Sequence, residues 1–85
     1  MIRIDIEESN VKYSRHALIK MLERDISKQE VTDTIISGNA IEHYQDDYPC
    51  PSLLIEGLTN DVTLHVVVAK CEYHSVIITT YRSDN

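Results

Sequence analysis

Ser14-Arg15-His16-Ala17-Leu18-Ile19-Lys20-Met21-Leu22-Glu23-Arg24 sets one histidine among three cationic side chains. Histidine titrates near neutrality, so it can both take and give a proton. A proton carrier beside fixed positive charge suits phosphodiester chemistry or recognition of a phosphate. His16 and Lys20 are four apart and share one edge of a helix. The same residues equally suit the solvated face of a structural helix.

A second histidine gains a partner through register. Asn60-Asp61 reads as a two-residue hairpin turn. Thr59 then opposes Val62, Leu58 opposes Thr63 and Glu56 opposes His65, and opposed residues share a face. Val62, Leu64, Val66 and Val68 line the core face with Ile55 and Leu53, and His65 and Glu56 share the other. A final turn near Glu72 and Tyr73 sets His65 opposite Thr79, Thr80 or Tyr81. A histidine, a carboxylate and a hydroxyl on one open face can exchange a proton with a sugar hydroxyl. A cross-strand His–Glu pair is also an ordinary surface feature. Tyr44, Tyr48 and Tyr81 suit base stacking or, more commonly, half-buried packing. His43 and His74 sit at strand ends, and Asp46-Asp47 reads as a solvated loop.

These groups need elements to position them. Ile2, Ile4 and Ile6 alternate with charge, the period of a half-buried strand. Ser14 is the expected N-cap of a first helix, with Ala17, Leu18, Met21 and Leu22 as its buried stripe. Ser27-Lys28-Gln29-Glu30 is a capping box opening a second helix, whose apolar face is Val31, Thr34, Ile35 and Ile36. Gly38 is the expected left-handed stop, and Asp25-Ile26 is the joint of the helical hairpin. Strands follow at 40–44, 52–59, 62–69 and 75–81. The expected fold is α+β in one domain, 1–85: an N-terminal strand, a helical hairpin, then a four-stranded antiparallel meander, curled, with helices on one face.

Eighty-five residues, 42% hydrophobic and 26% charged, are ordinary for one globular domain. The net charge of −6 weighs against a protein that coats nucleic acid electrostatically. Yet six of the eight Lys and Arg residues fall in the first 28 positions, so a local basic patch is compatible with it. No apolar run reaches bilayer-spanning length, and the alternating start lacks the apolar stretch of a secretory signal. The expected location is the cytoplasm, with no membrane partner. Cys50 and Cys71 have no metal-ligand spacing and read as reduced thiols, a disulfide being the alternative. No cofactor or metal is expected.

Taken together, the motifs resemble those of the domain of unknown function 4258 family of small prokaryotic proteins. The blocks are Ser14-x-His16-Ala17, Met21-Leu22-Glu23-Arg24-x-Ile26-Ser27-x-x-Glu30-Val31 and Gly38-x-x-Ile41-Glu42-x-Tyr44. Pro49-x-Pro51-Ser52-x-Leu54, Leu64-His65-Val66-Val67-Val68 and Ile77-Ile78-Thr79-Thr80-Tyr81 continue them in order across nearly the whole chain. The resemblance implies a fold like the RelE and barnase-type toxins, metal-independent cleavage of RNA, and a protein antitoxin as partner. The implied catalytic positions are His16, His65, Lys20, Arg24, Thr80 and Tyr81. One histidine would deprotonate a ribose 2′-hydroxyl and the other protonate the leaving oxygen, with Lys20 and Arg24 on the phosphorane and Tyr81 or Thr80 orienting the phosphate. Relatives of this type carry arginine at the Lys20 position and glycine at the Asp25 position. The alternative reading is a non-catalytic protein-interaction module on the same scaffold. The two part on geometry: catalysis expects His16 and His65 together beside Lys20 or Arg24 in a cleft, and the module expects them apart, or an apolar patch over the sheet face instead.

Overall fold

Two serines start the two helices by satisfying amides that have no partner in the first turn. Ser14 Oγ accepts from the Ala17 N–H at 3.0 Å and opens α1, Arg15–Arg24. Ser27 opens α2, Lys28–Ser37, with the full reciprocal box: its hydroxyl accepts from the Glu30 N–H, and the Glu30 carboxylate accepts from the Ser27 N–H, each at 3.1 Å. The computed structural model describes residues 10–83, so the strand expected at 2–6 lies outside the described residues.

Left-handed backbone ends α1 rather than α2. Asp25 has φ 54° and ψ 49°, and the Ile26 N–H returns to the Met21 carbonyl at 2.9 Å. Gly38, the expected left-handed stop, is instead extended at φ −84°. Its glycine is required by proximity: a Cβ there would lie 2.4 Å from the Thr34 carbonyl oxygen and 2.5 Å from that of Glu56.

The strands are β1 (Val11–Tyr13), β2 (Asn39–Tyr44), β3 (Ser52–Thr59), β4 (Val62–Lys70) and β5 (Ser75–Arg82). Their order is β1-β5-β4-β3-β2. From β2 to β5 the chain forms the expected antiparallel meander. The sheet as a whole is five-stranded and mixed, because β1 pairs in parallel with the Ser75–Ile77 end of β5. A three-residue strand is too short to display a period of two, which is why the alternation pattern did not expose it. Asn60 and Asp61 both have positive φ, 53° and 64°, as a type I′ turn demands.

Both helices lie on one face of the sheet. Ala17 and Met21 of α1, Val31 and Ile35 of α2, and Ile26 between them pack on Ile55, Leu64, Val66, Val68 and Ile77. Leu18, Leu22 and Ile36 do not join this core, and Leu22 is 86% exposed. On α1 the inward line continues from Ala17 and Met21 to Arg24, whose guanidinium donates to the Thr80 carbonyl at 2.8 Å. Leu18 and Leu22 stand about 100° round the helix from that line and face outward. Val62 is likewise exposed, at the turn end of β4.

Cys50 and Cys71 form a disulfide, with Cα atoms 5.2 Å apart, where reduced thiols were expected. The hairpin explains the meeting. Ser52 opposes Ala69, and the Lys70 N–H donates to the Pro51 carbonyl at 2.8 Å. Continuing the ladder by two positions sets Cys50 opposite Cys71.

Candidate functional site

The motif of α1 is divided between capping and solvent. Ser14 Oγ, besides capping the helix, donates to the Ile78 carbonyl at 3.0 Å, and the Ser14 N–H donates to the Ile77 carbonyl at 3.0 Å. With Arg24 on the Thr80 carbonyl, the segment from Ser14 to Arg24 thereby satisfies the Ile77, Ile78 and Thr80 carbonyls of β5, where the pairing with β1 ends. His16 is exposed, and Lys20 pairs with Glu23 at 3.2 Å one turn on. An i,i+3 surface pair of this kind contributes little to stability.

On the opposite face the expected register holds. Glu56 pairs with His65 and His65 with Tyr81. A bulge between Val67 and Val68 shifts the β4–β5 ladder by one residue, which puts Tyr81, and not Thr80, beside His65. Asn39, Glu56, His65 and Tyr81 form one row across four strands. His65 Nε2 lies 2.9 Å from Glu56 Oε2, and the His65 and Tyr81 ring centroids are 5.1 Å apart. Thr80 opposes Val66 on the helix side and is fully buried, its hydroxyl donating to the His65 carbonyl at 2.7 Å.

The sheet therefore stands between the two groups of residues. His16, Lys20, Arg24 and Thr80 belong to the helix side, and His65, Glu56 and Tyr81 to the open side. The imidazole of His65 is 12% exposed. With Nε2–H donated to Glu56, the lone pair is on Nδ1, which is buried and has no hydrogen-bond partner among the described residues. A carboxylate-oriented histidine is the usual arrangement of a general base, but here the basic nitrogen faces protein and must turn to reach a solute.

Register assigns more to the open face than the histidine pair. Glu42 opposes Leu54 and Tyr44 opposes Ser52, so both project beside Glu56. The Tyr44 hydroxyl donates to the Glu42 carboxylate, and this bond raises the Tyr44 pKa above its ordinary value, with Tyr81 and Asp47 adding to the effect. Ser52 Oγ donates to Asp47. Glu42 was not singled out from the sequence, because a bulge between Ala40 and Glu42 breaks the alternation of β2. A separate cleft of about 570 Å³ lies between α2 and the β3–β4 turn, lined by Glu30, Asp33, Ile36, Leu58 and Asn60, with no histidine in its lining. Among the described residues no three His, Cys, Asp or Glu side chains are grouped to hold a metal, and no helix is long and apolar enough to cross a membrane.

The family model described as domain of unknown function (DUF4258) matches residues 13–82. No curated protein and no solved structure matches the chain.

Proposed function

The chain belongs to the domain of unknown function (DUF4258) family, and on that premise we propose that it is a protein-interaction module rather than a catalyst. The observation that carries this reading is the sheet between His16 and His65: base and cations lie on opposite sides of it. A phosphorane needs both at one reacting centre. The exposed Leu18, Ile19 and Leu22 on α1 add an apolar surface ringed by Arg15, Lys20 and Glu23 that suits contact with another protein.

A second reading keeps a specific observation in its favour. The Tyr81–His65–Glu56 row on the open face is a carboxylate-oriented imidazole beside a phenol. It suits a toxin-type, metal-independent ribonuclease held in check by a protein antitoxin, with His65 as base and Tyr81 on the phosphate. His16, Lys20 and Arg24 would then act on RNA only from the other side of the sheet, as contacts rather than as proton carriers, and Thr80, fully buried, would not touch it.

Induced expression separates the two. The module reading expects no growth arrest, and intact RNA when purified protein is incubated at low salt with a chelator. Arrest or cleavage by the wild type that disappears in His65→Ala overturns it. The module reading further expects co-purification with the product of an adjacent gene, abolished by Leu22→Glu without loss of folding.

A further inference from the structure

Charge is unevenly spread over this molecule of net −6. The helical hairpin, residues 15–37, has four cations and four acids, a net charge of zero. The open sheet face presents Glu42 and Glu56 with Asp47 beside them, around the rings of Tyr44 and Tyr81. Lys12, which register also assigns to this face, stands at the opposite edge beside Val76. Between the two tyrosines the floor is Leu54, buried, and Val67, half-buried.

We propose that this face binds an arginine- or lysine-bearing segment of a partner protein, the cationic side chains lying over Tyr44 and Tyr81 and reaching Glu42 and Glu56. The proposal rests on the reading of the chain as an interaction module and names the chemistry of its partner. A guanidinium stacks on a phenol ring and offers parallel N–H donors to a carboxylate, and an apolar floor strengthens both contacts by excluding water. Glu56 retains free acceptor capacity, since His65 engages one of its oxygens and its side chain is 45% exposed. A nucleic acid on the same face would set its phosphates against Glu42, Glu56 and Asp47. Charge complementarity therefore selects a cationic peptide.

The test is an NMR titration of the full chain with a twelve-residue arginine–serine repeat peptide at low salt. Shifts at Tyr44, Glu56 and Tyr81 are expected. Affinity should fall about tenfold in the double variant Glu42→Gln, Glu56→Gln, and remain unchanged in Lys28→Gln, at the start of α2. Should the double variant fail to fold, Tyr44→Leu alone is expected to weaken binding several-fold. Equal binding to the glutamine variant, or no shifts at about 1 mM peptide, overturns the proposal. Binding of a uridine oligonucleotide to this face in place of the peptide also overturns it. So does self-association abolished by Arg15→Gln, Lys20→Gln, which would make a second copy the occupant. Failure of the peptide with RNA intact leaves the module reading standing, whereas His65-dependent RNA cleavage removes that reading whatever the peptide does.

Discussion

Glu30 Oε2 lies 2.9 Å from Arg82 Nη1, so the residue that completes the capping box of α2 is also held by the last residue of β5. Arg82 Nη2 donates in addition to the Asp25 carbonyl at 2.8 Å, and Thr59 Oγ1 approaches Glu30 at 3.4 Å. One guanidinium thus joins the end of the meander to both sides of the helical joint, 52 positions away from Glu30. The Arg82 hydrogen bond holds the Glu30 carboxyl below the usual carboxylate range. Burial opposes this, and the hydrogen bonds from Ser27 reinforce it. A carboxylate with a depressed folded pKa stabilises the fold above its unfolded value, and that stability is lost as pH falls through the folded pKa. Glu30→Gln should therefore lower stability at pH 7 by about 1–2 kcal/mol. The gap in melting temperature between variant and wild type should close as pH falls below about 4. A gap of constant size from pH 7 to pH 3 would refute the linkage.

Arg24 and Lys20 stand one turn apart on α1 but differ in what holds them. Arg24 satisfies the Thr80 carbonyl, and among the described residues Lys20 makes only the exposed pair with Glu23. Arg24→Ala leaves a part-buried acceptor without its donor, and the expected cost is about 1–3 kcal/mol in urea unfolding. Lys20→Ala should change stability by less than about 0.5 kcal/mol. Equal losses would mean that Arg24 owes its place to something other than this edge contact.

The site was legible where one local signal propagates by register. Asn60-Asp61 needs only its own turn chemistry, yet it places His65 against Glu56 and all of β3 against β4. The same arithmetic sets Cys50 opposite Cys71, which turns the disulfide from the alternative into the outcome, but the polar, proline-bounded pattern of 45–51 conceals that the ladder reaches so far. What stayed illegible depends on contacts made at a distance. Leu22 has the spacing of a core residue, but the inward line of α1 is settled by Arg24 reaching β5, and no helical periodicity encodes that. The bulge at Val67/Val68 chose Tyr81 over Thr80 as the neighbour of His65. The parallel partner β1 was concealed by its length of three residues.

Asp25 and Gly38 make opposite demands at the two helix ends. Asp25 adopts left-handed backbone at φ 54°, where a Cβ is strained and a carboxylate also faces the negative end of α1. Asp25→Gly relieves both, less the greater freedom that glycine gives the unfolded chain. A net gain of about 0.5–1 kcal/mol is expected. Gly38 is extended but has the Thr34 and Glu56 carbonyl oxygens within 2.5 Å of where a Cβ would be. Both obstacles are backbone, so Gly38→Ala must separate α2 from β3, at about 2–4 kcal/mol. A mild Gly38→Ala with a harmful Asp25→Gly would reverse this assignment of roles.

The Cys50–Cys71 bond closes the open end of the β3–β4 hairpin, opposite the Asn60-Asp61 turn. It also tethers the 45–51 loop, which carries Asp47 and Tyr48, to the turn before β5, where the Cys71 N–H donates to the His74 carbonyl at 2.9 Å. Cross-linking residues 21 apart removes loop freedom from the unfolded chain worth about 3 kcal/mol. Replacing both cysteines by serine should lower stability by up to that amount, and a reductant should lower the wild type to the same level while leaving the variant unmoved. Because Lys70 N–H to Pro51 and Ser52 to Asp47 persist without the bond, the β3–β4 register is expected to survive. Amide exchange should then accelerate in 45–51 and 71–74 while His65 and Glu56 stay protected. Exchange that accelerates uniformly along β3 and β4 would show instead that the disulfide, and not the type I′ turn, sets the register that brings His65 to Glu56.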